Sequence, residues 1–420
     1  MSETITGTAP GTVPGTPLVP VLAHADDALR AARSLAPLVA SGAAARDRER
    51  RLPHEEIHAV ARSGLLGVTV PRDLGGAAVG AATVAEVLRL LGSADLSLAQ
   101  ILQPHFAFLN ALRLRGGPRA AHRVYADVLA GSLVSNAQAE RSGTTAHTHA
   151  TRIERDGPGY RIDGTKYYAT GSLFADWIAV VAPADTPAGP RPHLAFVPAG
   201  HPGVSVEDDW AGMGQRTTAS GTVRLTGVEV EPDLVLDQYR TFEEPTTYGA
   251  FAQLLHAAVD VGAARGALEE AAEFVRTKSR PWFESGTDTA AEDPLLVHRF
   301  GELELLVRSA EALLGTASAK VESADAVLAG DTPRAGAEDA TAEASVAVAA
   351  AKVVGGRAAV EVSSALFEVA GTRATADDAN LHRHWRDART HTVHDPVRWK
   401  VQHIGAYSLN RQRPPRHGQI

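Results

Sequence analysis

The residues best suited to chemistry crowd near the end of the chain, in LHRHWRDARTHTVHDPVRWKVQHIG (381–405). On a helix, His384, Asp387, His391 and His394 recur at intervals of three, four and three, which predicts that they share one face. An imidazole titrates at roughly pH 6.5 and can move protons near neutrality. Three uses of such a face are open: a metal site, an acid–base cluster, or a polar surface hydrogen-bonded inside an assembly. The other helical stretches of the C-terminal region, 241–420, contain no Glu-x-x-His pair, which a carboxylate-bridged two-metal site in a bundle would need, so no metal is assigned.

Other chemistries lack their residues. The 420 residues include no cysteine, which excludes disulfides, thiolate nucleophiles and thiolate-bound metals. No G-x-G-x-x-G follows a strand-like run, and neither G-x-x-x-x-G-K-[ST] nor the G-x-S-x-G elbow occurs. A chain doing redox chemistry without a dinucleotide fold would receive its electrons on a diffusible carrier. A net charge of −8 gives no electrostatic reason to expect nucleic acid or an anionic membrane as partner. No run of 18 apolar residues predicts a membrane span, and no secretory signal opens the chain, so a cytoplasmic protein is expected.

The elements that must position these residues follow from periodicity. Residues 1–22, rich in Gly, Thr and Pro, read as a disordered leader. From 23 to 131 the pattern is helical, with Val84, Val87, Leu88 and Leu91 forming one apolar stripe. From 132 to 240 short β-rich runs alternate with turn residues. Asp156-Gly157-Pro158-Gly159 and Asp163-Gly164 predict successive hairpin turns. From 241 to 420 long Ala-rich helical patterns return, the last running unbroken over 384–410, and predict a four-helix bundle. Gly262 and Gly266, four apart, predict close approach of another helix. The polar segment 284–294 lacks periodicity and is expected to be a lid ordered only with ligand. The fold class is therefore α+β, mainly α.

This order resembles the acyl-CoA dehydrogenase superfamily, from about residue 45 to the end. RLPHEEIHAVARSGLLGVTVPRDLGG (51–76) resembles its entry segment, and DDWAGMGQRTTASGTVRLTGVEV (208–230) its β-domain signature. Within it, RHWRDARTHTVHDP (383–396), KYYATGSLFADW (166–177) and SRPWF (279–283) resemble the flavin-dependent monooxygenases typified by dibenzothiophene monooxygenase. True dehydrogenases of the superfamily abstract an α-proton with a glutamate, often in a Tyr-Glu-Gly-Thr motif. Aligned on RDA, that motif falls on His394-Asp395-Pro396-Val397, where an aspartate is one methylene short. Glu269 and Glu270 are the only other local carboxylates.

The resemblance implies reduced FMN or FAD delivered by a separate NAD(P)H:flavin reductase, with dioxygen as co-substrate. It implies a C4a-hydroperoxyflavin that oxygenates a small aromatic, heteroaromatic, sulfur- or nitrogen-containing substrate. By the same resemblance, His391 and His394 manage protons, joined by His105 and Ser172. Asn136 and Ser172 meet the isoalloxazine, Trp210 covers its face, and Gly371 and Thr372 form a flavin-contacting turn. Arg280 reaches the flavin phosphate of a neighbouring subunit, which implies a homotetramer. The competing readings are an acyl-CoA dehydrogenase using FAD and a relative without catalysis.

Overall fold

A computed structural model describes residues 19–141, 149–331 and 333–420. The leader expected over 1–22 lies outside them except for its last four residues. Of those, Pro20 and Leu22 lie against Gly64.

Six helices open the chain: α1 (Ala25–Ala40), α2 (Ala43–Glu49), α3 (His54–Arg62), α4 (Ala81–Ala94), α5 (Leu96–Arg115) and α6 (Pro118–Leu129). Asp95 starts α5 by accepting from Ser97 N and Leu98 N at 3.0 and 3.3 Å, which satisfies two of the free N–H groups of a helix start. Its other oxygen pairs with buried Arg46 at 2.9 Å, tying α5 to α2.

Eight strands follow: β1 (Val134–Ala137), β2 (Arg152–Asp156), β3 (Gly159–Lys166), β4 (Trp177–Thr186), β5 (Gly189–Pro198), β6 (Val204–Val206), β7 (Val223–Val230) and β8 (Val235–Leu236). They form one sheet in the order β6-β7-β3-β2-β4-β5-β8, with β1 parallel to β4. The expected turn at 157–158 joins β2 to β3. Asp163-Gly164, expected to be a second turn, instead lies inside β3. There the register against β7 shifts between Ile162 and Gly164. Gly164 has φ +154°, and a Cβ there would collide with Thr151. The glycine makes a bulge rather than a reversal.

The C-terminal helices are α7 (Arg240–Glu243), α8 (Tyr248–Thr277), α9 (Pro294–Ala329), α10 (Arg334–Ala370), α11 (His382–His391) and α12 (Val397–Asn410). The stretch expected as one helix over 384–410 is therefore two. Pro396 disfavours helical geometry in the residue before it and offers no N–H, so α11 ends at His391 and α12 starts afresh. Helix α8 is buried on nearly every side through its middle, as a central helix must be. Gly262 and Gly266 let α4 approach as expected, since a Cβ at either would strike the main chain of Arg89 or Ser93. The N-terminal helices and the bundle thus share one apolar core, and the sheet carries a second. Segment 284–294 has local order of its own: Thr289 and Glu292 form a capping box that leads into α9.

Candidate functional site

The deepest polar cluster sits where α5, α8, α10 and the end of α11 converge. Helix α8 presents His256 and Asp260, four residues apart on one face and both buried. Nδ1 of His391 lies 2.5 Å from Asp260 Oδ1, and Lys352 Nζ of α10 donates to Asp260 Oδ2 at 2.7 Å. Nε2 of His391 faces Gln100 Oε1 of α5 at 3.0 Å and His256 Nδ1 at 3.1 Å. His394 follows in the turn after α11, where its N–H donates to His391 O at 3.1 Å. Its ring lies 4.4 Å from that of His256, tilted by 34°. Asp395 and Lys400 pair at 3.0 Å, and Lys400 also donates to Gln419 O at 2.5 Å.

The electrostatics follow from burial. Desolvation holds His256 and His391 below the usual imidazole range. For His391 the Asp260 carboxylate opposes that drop and Lys352 adds to it. Burial pushes the Asp260 carboxyl up, but His391 and Lys352 outweigh it and keep it ionised. Burial draws His394 down as well; Asp395 opposes that drop, and Lys352 and His391 add to it. Two compensated ion pairs thus underlie imidazoles that are neutral at neutral pH. Burying ion pairs is costly, so such an arrangement suits a functional site better than a merely stable core.

The rest of α11 does something different. His384 Nε2 lies 2.7 Å from Glu270, which also pairs with Arg383. Asp387 accepts from Gln215 N at 2.5 Å, and Arg386 donates to Met213 O at 2.8 Å and pairs with Asp47. A Cβ on Gly214 would strike the Arg386 carbonyl, so only glycine lets the β-domain loop lie on α11. Burial first, and the nearby Asp47 second, push the Asp387 carboxyl up to about 7. The predicted common face of His384, Asp387 and His391 is real, but its two ends serve different neighbours, and His394 lies past the helix. Among the described residues no group of three or more His, Asp or Glu is arranged to hold a metal.

The other sequence-predicted residues fall into three places. Ser172 and Asn136 belong to the β domain, and the Ser172 Oγ and Asn136 Oδ1 are buried with no hydrogen-bond partner among the described residues. Gly171 abuts Ile101 on α5, next in sequence to the Gln100 that meets His391. Unpaired buried polar atoms in that position fit the donors and acceptors along a flavin edge. Trp210 is half-buried and anchored through Nε1 to Gln215 O at 2.7 Å, with Tyr167 and Tyr168 beside it.

Arg280, Gly371 and Thr372 are exposed at the far end of the bundle, brought together where Ser279 Oγ donates to Ala370 O at 2.8 Å. At 1.5 Å per residue along α10, Gly371 lies roughly 28 Å from Lys352. His105 is the misfit. It is fully buried, its Nδ1 accepts from Val134 N at 3.0 Å and its Nε2 meets Leu66 O at 2.9 Å. Burial lowers its pKa to about 4. With both nitrogens held by main chain it has none left for a substrate, so it joins α5 to β1 rather than serving catalysis.

Sequence reading missed His256, Asp260, Lys352 and Gln100. Their signal was available: ionisable residues inside otherwise apolar helical runs, LLHAAVDVG and AAAKVVGG, are the informative exceptions.

Comparison with known proteins agrees with this architecture. Models of the acyl-CoA dehydrogenase N-terminal, middle and C-terminal domains match residues 27–132, 135–228 and 254–399. The dibenzothiophene monooxygenase of Mycolicibacterium goodii is 32% identical over 398 residues, covering 92% of this chain and 95% of that protein. A Pseudomonas putida protein named "Probable FMNH2-dependent monooxygenase SfnC" is 30% identical over 402 residues, covering 92% and 96%. The solved complex of TdsC from Paenibacillus sp. A11-2 with FMN and indole superposes with a TM-score of 0.86 at 32% identity, covering 94% of this chain and 99% of that one.

Proposed function

Since the chain belongs to the acyl-CoA dehydrogenase family, in the branch that resembles dibenzothiophene monooxygenase, we propose that it is a two-component flavin-dependent monooxygenase. In this reading reduced FMN comes from a separate NAD(P)H:flavin reductase. When bound, it would supply the two electrons with which one atom of dioxygen passes to a small aromatic, heteroaromatic, sulfur- or nitrogen-containing molecule and the other leaves as water. The observation that carries the reading is the neutral imidazole cluster of His256, His391 and His394 at the place where a dehydrogenase needs a free carboxylate. The carboxylates present are poor α-proton bases. Asp395 is buried and paired with Lys400, Glu270 is held by Arg383 and His384, and Glu269 is exposed on the outer face of α8.

This chain's residues then divide the work. Ser172 and Asn136 would hold the isoalloxazine edge through their unpaired oxygens, and Trp210 would cover one ring face. His391 and His394 would supply and withdraw the protons that oxygen transfer requires. Arg280, with the Gly371-Thr372 turn, stands too far along the bundle to serve the same ring. It would reach the phosphate of a neighbouring subunit's flavin in a homotetramer, where its guanidinium fork engages two oxygens at once.

The test is anaerobic binding of reduced FMN followed by mixing with oxygenated buffer. The expected outcome is a hydroperoxyflavin absorbance that outlives the reaction of free flavin with oxygen. Its absence, with bleaching of bound flavin by an acyl-CoA, would make the protein a dehydrogenase instead.

A further inference from the structure

We infer that Asp260 and Lys352 are positioning residues that fix His391 as its Nδ1–H tautomer, leaving the Nε2 lone pair as the working face of the catalytic histidine. The inference rests on the functional reading above for what His391 does, but on geometry alone for how it is held. An ionised carboxylate can only accept, so the 2.5 Å contact from His391 Nδ1 to Asp260 Oδ1 places the proton on Nδ1. Asp260 stays ionised because Lys352 donates to its second oxygen at 2.7 Å in a fully buried pocket. A carboxylate hydrogen-bonded on both sides cannot rotate away, and the imidazole is held in one plane.

The far nitrogen then has two consistent states. In the neutral ring, Nε2 accepts the Nδ1–H of His256 at 3.1 Å. In the imidazolium, Nε2–H donates to Gln100 Oε1 at 3.0 Å. His391 can therefore gain and lose a proton at Nε2 while Nδ1–H never leaves Asp260. The sequence places these partners on four separate elements, so the pattern emerges only in the fold. Lys352 sits beside Gly355 and Gly356, the latter lying against Asp260 and Thr392, where small residues let α8, α10 and α11 close together.

The groups facing His391 are Gln100 from α5, His256 and Asp260 from α8, Lys352 from α10, and His394 and Asp395 from the turn after α11, with Lys400 of α12 paired to Asp395. Of these, Asp260 raises the imidazole's proton affinity and Lys352 lowers it. The two neighbours therefore have opposite signatures.

The experiment uses full-length protein with ¹⁵N-labelled histidine, read by multiple-bond ¹⁵N–¹H NMR without flavin, with the His391 signal assigned through His391→Gln. The wild type is expected to show Nδ1–H, and Asp260→Asn to lose that preference. With reduced FMN and oxygen, Asp260→Asn should lower kcat by about a hundredfold while leaving flavin affinity within a few-fold. The acid limb of its rate profile should move to lower pH, and that of Lys352→Gln to higher pH. An Nε2–H tautomer in the wild type, or limbs that move together or not at all, would overturn the inference. Failure of the wild type to bind reduced FMN would sink the functional reading instead and leave the tautomer result standing.

Discussion

The two ends of α11 carry the same kinds of residue and do opposite things. At its start, Arg383, His384, Arg386 and Asp387 are locked into charged contacts with Glu270, Asp47 and the Met213–Gln215 main chain. At its end, His391 meets one ionised carboxylate, Asp260, through Nδ1, while its Nε2 faces a neutral imidazole and an amide. The first end is saturated: each polar group has a fixed partner, so the helix becomes a dock for the β domain. The second end keeps a nitrogen whose partners can exchange roles, so it can move a proton. What separates chemistry from architecture here is whether the last hydrogen bond is committed, and residue type does not decide it.

The sharpest way to break that comparison is to truncate both histidines. His391→Ala is expected to lower kcat by about 10²–10⁴-fold with flavin binding retained, measured by single-turnover oxygenation. His384→Ala should leave the rate per folded molecule nearly unchanged and show its effect in the melting temperature, because it leaves Glu270 with one partner fewer. Equal kinetic losses would mean that the whole face is catalytic.

A second contrast concerns pH. Asp387 titrates at about 7 in the fold against an ordinary value near 3.8, so the folded state holds its proton more tightly than the unfolded chain does. The stability this gives is fully present below about pH 4 and is lost as pH rises towards 7, an upper bound of about 4 kcal/mol. Asp387→Asn, neutral at every pH, should flatten that part of a denaturation-against-pH series. An unchanged slope would show that Asp387 is ionised throughout.

Much of this was legible in the chain, and the parts that were not share one cause. Periodicity located the central helices, and Gly262 with Gly266 announced the close approach of α4. What failed was local. Asp163-Gly164 has the composition of a turn, but its neighbours Ile162 and Thr165 were already committed to pairing with β7, so the pair became a bulge. Pro396 had the information to split the last helix, yet the apolar rhythm on either side concealed it. The site was half visible: the spacing of His384, Asp387 and His391 set a face, while Asp260, Lys352 and Gln100 come from three other helices whose convergence no local pattern encodes. His105 misled because a histidine in QPHF has the same letters whether its nitrogens meet a substrate or the main chain.

The smaller predictions probe how firmly the dock holds. Gly214→Ala inserts a methyl where the Arg386 carbonyl already sits, and the loop must lift from α11. Forcing extra volume into a packed contact typically costs about 1–3 kcal/mol. Chemical denaturation should register that loss, and the flavin affinity should weaken with it, since Trp210 is anchored to the same loop.

Trp210→Phe is gentler. It keeps an aromatic surface beside Tyr167 and Tyr168 but deletes the Nε1 donor, leaving Gln215 O without its 2.7 Å partner. Losing one neutral hydrogen bond at a half-buried position should cost about 1 kcal/mol. If Trp210 serves only the dock, that cost appears in denaturation and the flavin affinity stays put. If its ring also covers the isoalloxazine, the smaller phenyl face should weaken FMN binding several-fold, while the melting temperature moves by only a few degrees. Titrating reduced FMN against both proteins separates the two, because only the second role links the tryptophan's area to the ligand.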